Sequence, residues 1–257
     1  VFELLEKIDS QISSWNVEVS VLILNAASTE KKPDIKLNIK NIKLIRVVNM
    51  KKNQGHARCN AAGLKHLIEK EVFDHVIVMD GDGEDRPEEL TLIFNKSKEN
   101  PNKTVTADRI KRSEGFFFKF LYECHKILTF LFTGKYIKFG NYTCLPKLVV
   151  AKMVEEAATW SSFSGSLTKA TKERKSVPSI RGPRYFGPSK MSFINLLKHS
   201  ISIIAVFRIT VFIRSLIFLV VYFFIMSQHL SVITLIPVAL VVLMIVSVFV
   251  LANRENI

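Results

Sequence analysis

Aspartate stops at Asp108. From Arg109 to Ile257 there is none, and only 6 acidic side chains face 20 basic ones. The stretch from Val1 to Asp108 is nearly balanced, with 16 basic and 17 acidic residues, so the second part carries the net charge of +13. Cysteine is equally scarce. Cys59, Cys124 and Cys144 are odd in number and widely spaced, which argues against a disulfide framework or a zinc site and fits a reducing, cytosolic setting. A basic-then-apolar leader is missing too: VFELLEKIDSQISSW, at residues 1–15, is acidic and amphipathic, so no signal peptide is expected in it. Apolar residues are not scarce. At 48% of 257 residues they supply one ordinary domain with a core and something smaller besides, which excludes disorder.

Charge is absent altogether from LSVITLIPVALVVLMIVSVFVLA, Leu230 to Ala252. As a helix this run is long enough to cross a hydrocarbon layer of about 30 Å. Before it, ITVFIRSLIFLVVYFFIM (Ile209 to Met226) carries one charge, Arg214, which can reach the headgroups by extending its side chain. Two spans joined by so short a link form a tight hairpin with both outer ends on one side, and the basic excess before the first puts that side in the cytoplasm. The competing reading, a hairpin buried inside a soluble protein, is disfavoured because uncharged runs this long are rare there. The expected organisation is a domain over 1–190, an interfacial amphipathic helix over 191–208 and a transmembrane hairpin over 209–257, with spans at about 209–226 and 230–252. The expected location is a membrane, most simply a bacterial inner membrane. No nucleic-acid partner is expected, and a homo-oligomer is left open. GFFFKFLYECHKILTFLFT, Gly115 to Thr133, predicts an aromatic-rich amphipathic helix that belongs either to the core or to the membrane surface.

Upstream, short apolar runs alternate with amphipathic helical patterns. VEVSVLIL (17–24), IKLIRVV (42–48), HVIVMD (75–80) and TVTADR (104–109) read as strands, with helices over about 55–71 and from Pro87 onward. The fold class is therefore α/β, a mostly parallel sheet with helices on both faces. In such sheets ligands gather at the carboxyl ends of strands. DGDGED, Asp80 to Asp85, falls at one.

Asp80-x-Asp82 at a strand end, with Gly81 and Gly83 keeping the backbone unhindered, can hold a divalent cation that bridges phosphate oxygens. The competing reading is a solvated acidic loop at a helix N-terminus, a role that suits Asp85, Glu88 and Glu89. A calcium EF-hand loop fails, since Asp85 stands where glycine is needed and Thr91 where the bidentate Glu belongs. A phosphatase of the haloacid dehalogenase type matches the D-x-D-G pattern locally but requires further acidic residues downstream, where no Asp occurs.

NQGHARCNAAGLKHL (53–67), VIVMDGDGEDRPEEL (76–90), ADRIKR (107–112), FGNYT (139–143) and VPSIRGPRYFGPSKMSF (177–193), followed by two apolar spans, together resemble the inverting family 2 glycosyltransferases of the polyprenyl-phosphate and dolichol-phosphate sugar synthase type. The resemblance implies a GT-A fold in which Asp80 and Asp82 bind Mg²⁺ or Mn²⁺ and the diphosphate of a nucleotide sugar of the GDP-mannose or UDP-glucose class. Glu84 then lies near the metal, where relatives often carry Gln. A sugar leaving a diphosphate passes through an oxocarbenium-like state while the leaving group gains charge, and Lewis acidity substitutes for a proton donor. Catalytic roles fall to Asp82, Arg109 and Arg112, the two arginines offering planar, multi-donor groups to phosphates. Donor contacts are assigned to Asp80, Asp82, Ser28 and Arg58, with His56 opening a helix near the nucleotide. Arg181, Arg184, Ser189 and Lys190, in a Pro- and Gly-rich stretch ahead of the membrane, suit the phosphate of a polyprenyl lipid. General attraction to anionic headgroups is the plainer alternative for that basic stretch. A lipid phosphate is anionic near neutral pH and needs no strong base, whereas a hydroxyl acceptor would need one from among Glu84, Asp85, Glu123 and His125. Trp15 and Trp160 read as packing. Two departures stand out: a first strand with a P-x-Y-N-E-like turn is not seen before Val1, which reads as a truncation, and NAASTE (25–30) keeps Ser28 and Thr29 but lacks the usual acids. A catalytically impaired, membrane-anchored interaction protein is thus the second reading.

Overall fold

The computed structural model describes residues 1–28, 39–111, 116–187 and 193–252. Helix α1 (Phe2–Gln11) turns Leu4, Leu5 and Ile8 inward at helical spacing, and Ile12 follows just beyond its end. Asp9 is buried on the same helix, where its carboxylate accepts hydrogen bonds from the N–H groups of Lys40, Asn41 and Ile42 at 3.1, 2.7 and 2.9 Å. One side chain thereby satisfies the backbone at the entry to β2. Burial opposes ionisation of Asp9, but these donors outweigh it and hold its pKa below the usual carboxylate value.

Strands β1 (Val19–Asn25) and β2 (Ile42–Asn49) form a parallel pair. Helix α2 (His56–Lys70) packs on β1, where Gly63 leaves room for Leu24: an added Cβ would come within 2.3 Å of the leucine side chain. A second sheet has the order β3-β5-β4-β6, from β3 (His75–Val78), β4 (Thr104–Lys111), β5 (Phe139–Pro146) and β6 (Arg174–Ile180). Strands β3, β4 and β6 run one way and β5 opposes them, so the carboxyl ends of three strands and the amino end of β5 share one edge. The fold class is the α/β expected, with β5 as an antiparallel member. Pro178 sits in β6, an edge strand, where a missing N–H is tolerated.

The period of two along β4 and β5 divides the core. Val105, Ala107, Tyr142 and Cys144 meet α1 and α3 (Leu90–Glu99), with Ile93 fully enclosed. Truncating a residue buried like Ile93 to alanine costs about 2–5 kcal/mol. Phe139 and Leu145 on the opposite face meet α5 (Lys147–Glu155) and α6 (Phe163–Ala170). Ser162 caps α6 by accepting from the Gly165 N–H at 3.2 Å, a cap worth about 1 kcal/mol. Trp15 stacks on Phe94 with ring centroids 3.8 Å apart, the packing role its sequence suggests.

Helix α4 (Phe116–Thr133) leads into β5. Helix α7 (Phe193–Ala205) covers the stretch expected as an interfacial helix and joins the domain to the C-terminal pair α8 (Arg208–Met226) and α9 (Val232–Ala252). Its Ile203 packs into the domain core, while Ile204 and Ala205 pack with Val211, Val248 and Ala252. At a rise of about 1.5 Å per residue α8 and α9 span roughly 28 and 31 Å, and both are apolar enough to cross a membrane. Only 11% of each is buried within the protein, the reverse of a soluble core helix. The Tyr222 hydroxyl ties the hairpin together by donating to the Thr234 carbonyl at 2.7 Å.

Candidate active site at the carboxyl edge of the sheet

Two loops meet beyond the ends of β3 and β6. The first, residues 79–86, follows β3; the second, residues 181–187, follows β6. Backbone hydrogen bonds join them: Gly182 N–H donates to the Glu84 carbonyl at 2.9 Å and Tyr185 N–H to the Asp82 carbonyl at 3.0 Å. Glycine is required on the acidic side, because Gly83 has φ +89° and an added Cβ would lie 2.7 Å from the Tyr185 ring. Lys7 of α1 caps that ring from 4.4 Å away. Between the loops, Arg184 meets Asp82 at 2.8 Å and Glu84 at 3.3 Å, and Arg181 donates to the other Glu84 oxygen.

Asp80 faces a different set of partners. Asn141, the third residue of β5, donates to its carboxylate at 3.1 Å, and His56, the first residue of α2, lies 3.5 Å from it and also contacts Asn141. Asp80 N–H donates to Asp85 at 2.9 Å, and Arg109 of β4 stands 3.8 Å from Asp85. Gly140 makes room for that guanidinium, since an added Cβ would come within 3.0 Å of it.

These arrangements set the charges. Burial works against ionisation of Asp80, yet His56, Asn141 and Arg109 together hold its pKa down at about 2. Asp82 is pushed above the usual value by burial and by the charge of Asp80, with Arg184 and Arg181 pulling the other way. Asp85, buried and beside Asp80, is raised to about 7. Partial burial lowers the pKa of His56, but its bond to Asp80 wins and the net shift is upward. His199 of α7 is held at about 4, first by burial and then by the positive charge of His56, His125 and Arg109.

Three arginines here are matched by carboxylates, so the site would neutralise a polyanion only with an added cation. Among the described residues no three or more His, Cys, Asp or Glu side chains form a ready-made metal cage, so a cation here would be held by Asp80 and Asp82 with the remaining ligands from water and a bound phosphate, the usual habit of Mg²⁺. The donor set fits. The repulsion that raises Asp82 beside Asp80 is what a divalent cation would relieve.

Of the residues singled out in the sequence, Asp80, Asp82, Glu84, Arg109, Arg181 and Arg184 converge here. Glu84, expected near a metal, has both its oxygens engaged by the two arginines. Ser28 lies after β1, its N–H bonded to the Asn25 side chain at 2.9 Å, and Arg58 lies in the first turn of α2 and bonds Gln54 at 3.2 Å. Arg112, Ser189, Lys190 and Thr29 lie outside the described residues. Three residues near the site were not singled out for it: Asn141, Tyr185 and His199. FGNYT was visible as a motif, but nothing local marks its Asn as the partner of a carboxylate 61 residues away.

Residues 3–155 match the family model described as Glycosyl transferase family 2. No curated protein matches the chain.

Proposed function

Because the chain belongs to glycosyl transferase family 2, transferring a sugar from a nucleotide-sugar donor to an acceptor, we propose that it is a membrane-anchored enzyme whose acceptor is a polyprenyl phosphate. The observation that carries this reading is the pairing of the two loops. Arg181 and Arg184, in the segment just ahead of the apolar helices, reach the carboxylates of Asp82 and Glu84. Guanidinium groups that meet carboxylates in this way are shaped to meet phosphates equally well. Donor diphosphate and lipid phosphate would then share one cationic rim beside the bilayer.

Asp80, kept ionised by His56, Asn141 and Arg109, and Asp82 would be the residues that hold Mg²⁺ or Mn²⁺. When bound, the cation supplies Lewis acidity to the departing nucleoside diphosphate. Arg109 adds positive charge on the β4 side of the same site. Arg184 exchanges Asp82 for a phosphate oxygen, and Glu84 keeps both arginines aimed at the gap between the loops. An acceptor phosphate oxygen attacks the anomeric carbon as the bond to the diphosphate breaks, a single displacement that inverts the centre. Being already anionic near neutral pH, it surrenders no proton and requires no general base. The donor is of the GDP-mannose or UDP-glucose class, and the catalytic domain lies on the cytoplasmic side, in keeping with the basic excess before the first span.

The test is sugar transfer by the full chain in liposomes containing a polyprenyl phosphate, with Mg²⁺ or Mn²⁺ and each donor in turn, and Asp82→Ala as control. Labelled sugar in the lipid fraction that disappears with Asp82→Ala supports the reading. Transfer to a soluble hydroxyl acceptor only would replace the lipid acceptor, and no transfer at all would favour an interaction protein that has lost the chemistry.

A further inference from the structure

One face of the C-terminal half of α4 is apolar and uncovered. Ile127, Phe130 and Leu131, at i, i+3 and i+4, are 59%, 53% and 58% exposed, with Leu128 beside them at 41%. This face adjoins the first apolar span. Arg214 of α8 donates to the carbonyls of Phe130 and Leu131 at 3.4 and 3.0 Å. The closing turn is built around that contact: Gly134 has φ +68°, donates its N–H to Phe130 O at 2.7 Å, and carries no Cβ, which would lie 2.7 Å from the Arg214 guanidinium. Thr133 returns its hydroxyl to the Thr129 carbonyl.

We propose that the C-terminal half of α4 is immersed in the bilayer leaflet on the catalytic-domain side, fastened there by Arg214. The inference rests on α8 and α9 spanning the membrane. A helix ends with carbonyls that lack partners in the next turn, and in hydrocarbon each one left bare costs several kcal/mol. Of the last four carbonyls of α4, those of Phe130 and Leu131 are met by donors from Gly134 and Arg214, which suits a low-water setting. Arg214 gains equally, since a charge within a span is costly unless it finds carbonyls or another partner. Depth agrees as well. Arg214 lies six residues beyond Arg208, the first of α8, and so about 9 Å along the span, within the roughly 5–10 Å at which interfacial helices bury their apolar faces. Occupancy by a protein partner would leave unexplained why the exposed face is continuous with the uncovered surface of α8.

Fluorescence in liposomes tests this with the full chain. In a background carrying Trp15→Phe and Trp160→Phe, a single tryptophan is introduced by Phe130→Trp in α4, by Ile217→Trp in α8 or by Leu92→Trp on the exposed face of α3. Lipids brominated near the headgroup end of the acyl chains are expected to quench Phe130→Trp, with iodide in the buffer having little effect; Leu92→Trp should respond the other way. Adding Arg214→Leu should lessen the bromolipid quenching of Phe130→Trp and leave Ile217→Trp unchanged. If iodide quenches Phe130→Trp while bromolipids quench only Ile217→Trp, the inference about α4 falls and the membrane hairpin stands. If bromolipids quench neither, both fall.

Discussion

Replacing Arg184 by alanine separates the two tasks the structure gives this side chain. It pairs with Asp82 and Glu84 at 2.8 and 3.3 Å, with side chains only 28%, 30% and 14% exposed. Charge-assisted bonds of this kind contribute about 1.5–3 kcal/mol, but Arg181 remains on Glu84, so the expected loss of stability is near the lower end, about 1–2 kcal/mol. The catalytic loss should be larger. A preorganised donor aimed at developing charge is worth about 10²–10³ in kcat, or 2.7–4 kcal/mol, and Arg184→Ala should lower kcat/KM by that factor. Arg184→Lys, which keeps the charge but not the planar fork, should recover only part of it. The assay is the initial rate of labelled sugar entering lipid, with thermal unfolding measured on the same preparations. Transfer within about threefold of the parent rate, less than 1 kcal/mol of barrier, by a folded Arg184→Ala protein would refute the assignment.

Glu84→Gln should raise KM for donor or acceptor about tenfold, equivalent to 1.4 kcal/mol, and leave cation affinity within about twofold; a large loss of cation affinity would show that Glu84 is a metal ligand after all. Asp9→Ala removes the acceptor for three N–H groups at the entry to β2, that of Ile42 buried, and should destabilise the fold by about 1–3 kcal/mol. Since the folded pKa of Asp9 is depressed, its contribution should be intact above the unfolded value of about 3.9 and fade as pH falls through the folded pKa. Urea unfolding of parent and Asp9→Ala should therefore converge toward acid, and a gap independent of pH would contradict the role given to the carboxylate.

The acidic loop was legible because its signal is local: carboxylates spaced by glycine directly after an apolar strand. The two long apolar helices were legible from length and missing charge. What escaped reading depends on partners distant in sequence. Strand β6, RKSVPSI, carries two basic residues and a proline, a composition that reads as loop, and only its place at the edge of the sheet makes it a tolerable strand. Strand β5 opposes its neighbours, an orientation that FGNYTCLP cannot announce. Asn141 and Asp80 meet because β5 pairs with β3. The resemblance placed Glu84 near a metal, and its pairing with Arg181 and Arg184 could not be read there because those arginines lie 97 and 100 residues away.

Binding of Mn²⁺ to the full chain, followed by electron paramagnetic resonance with and without nucleoside diphosphate, examines the Asp80–Asp82 site most directly. Immobilised Mn²⁺ should appear at a single site, strengthen when the diphosphate is added, and disappear in Asp82→Ala while the protein stays folded. Undiminished, diphosphate-enhanced Mn²⁺ binding by Asp82→Ala would contradict the assignment.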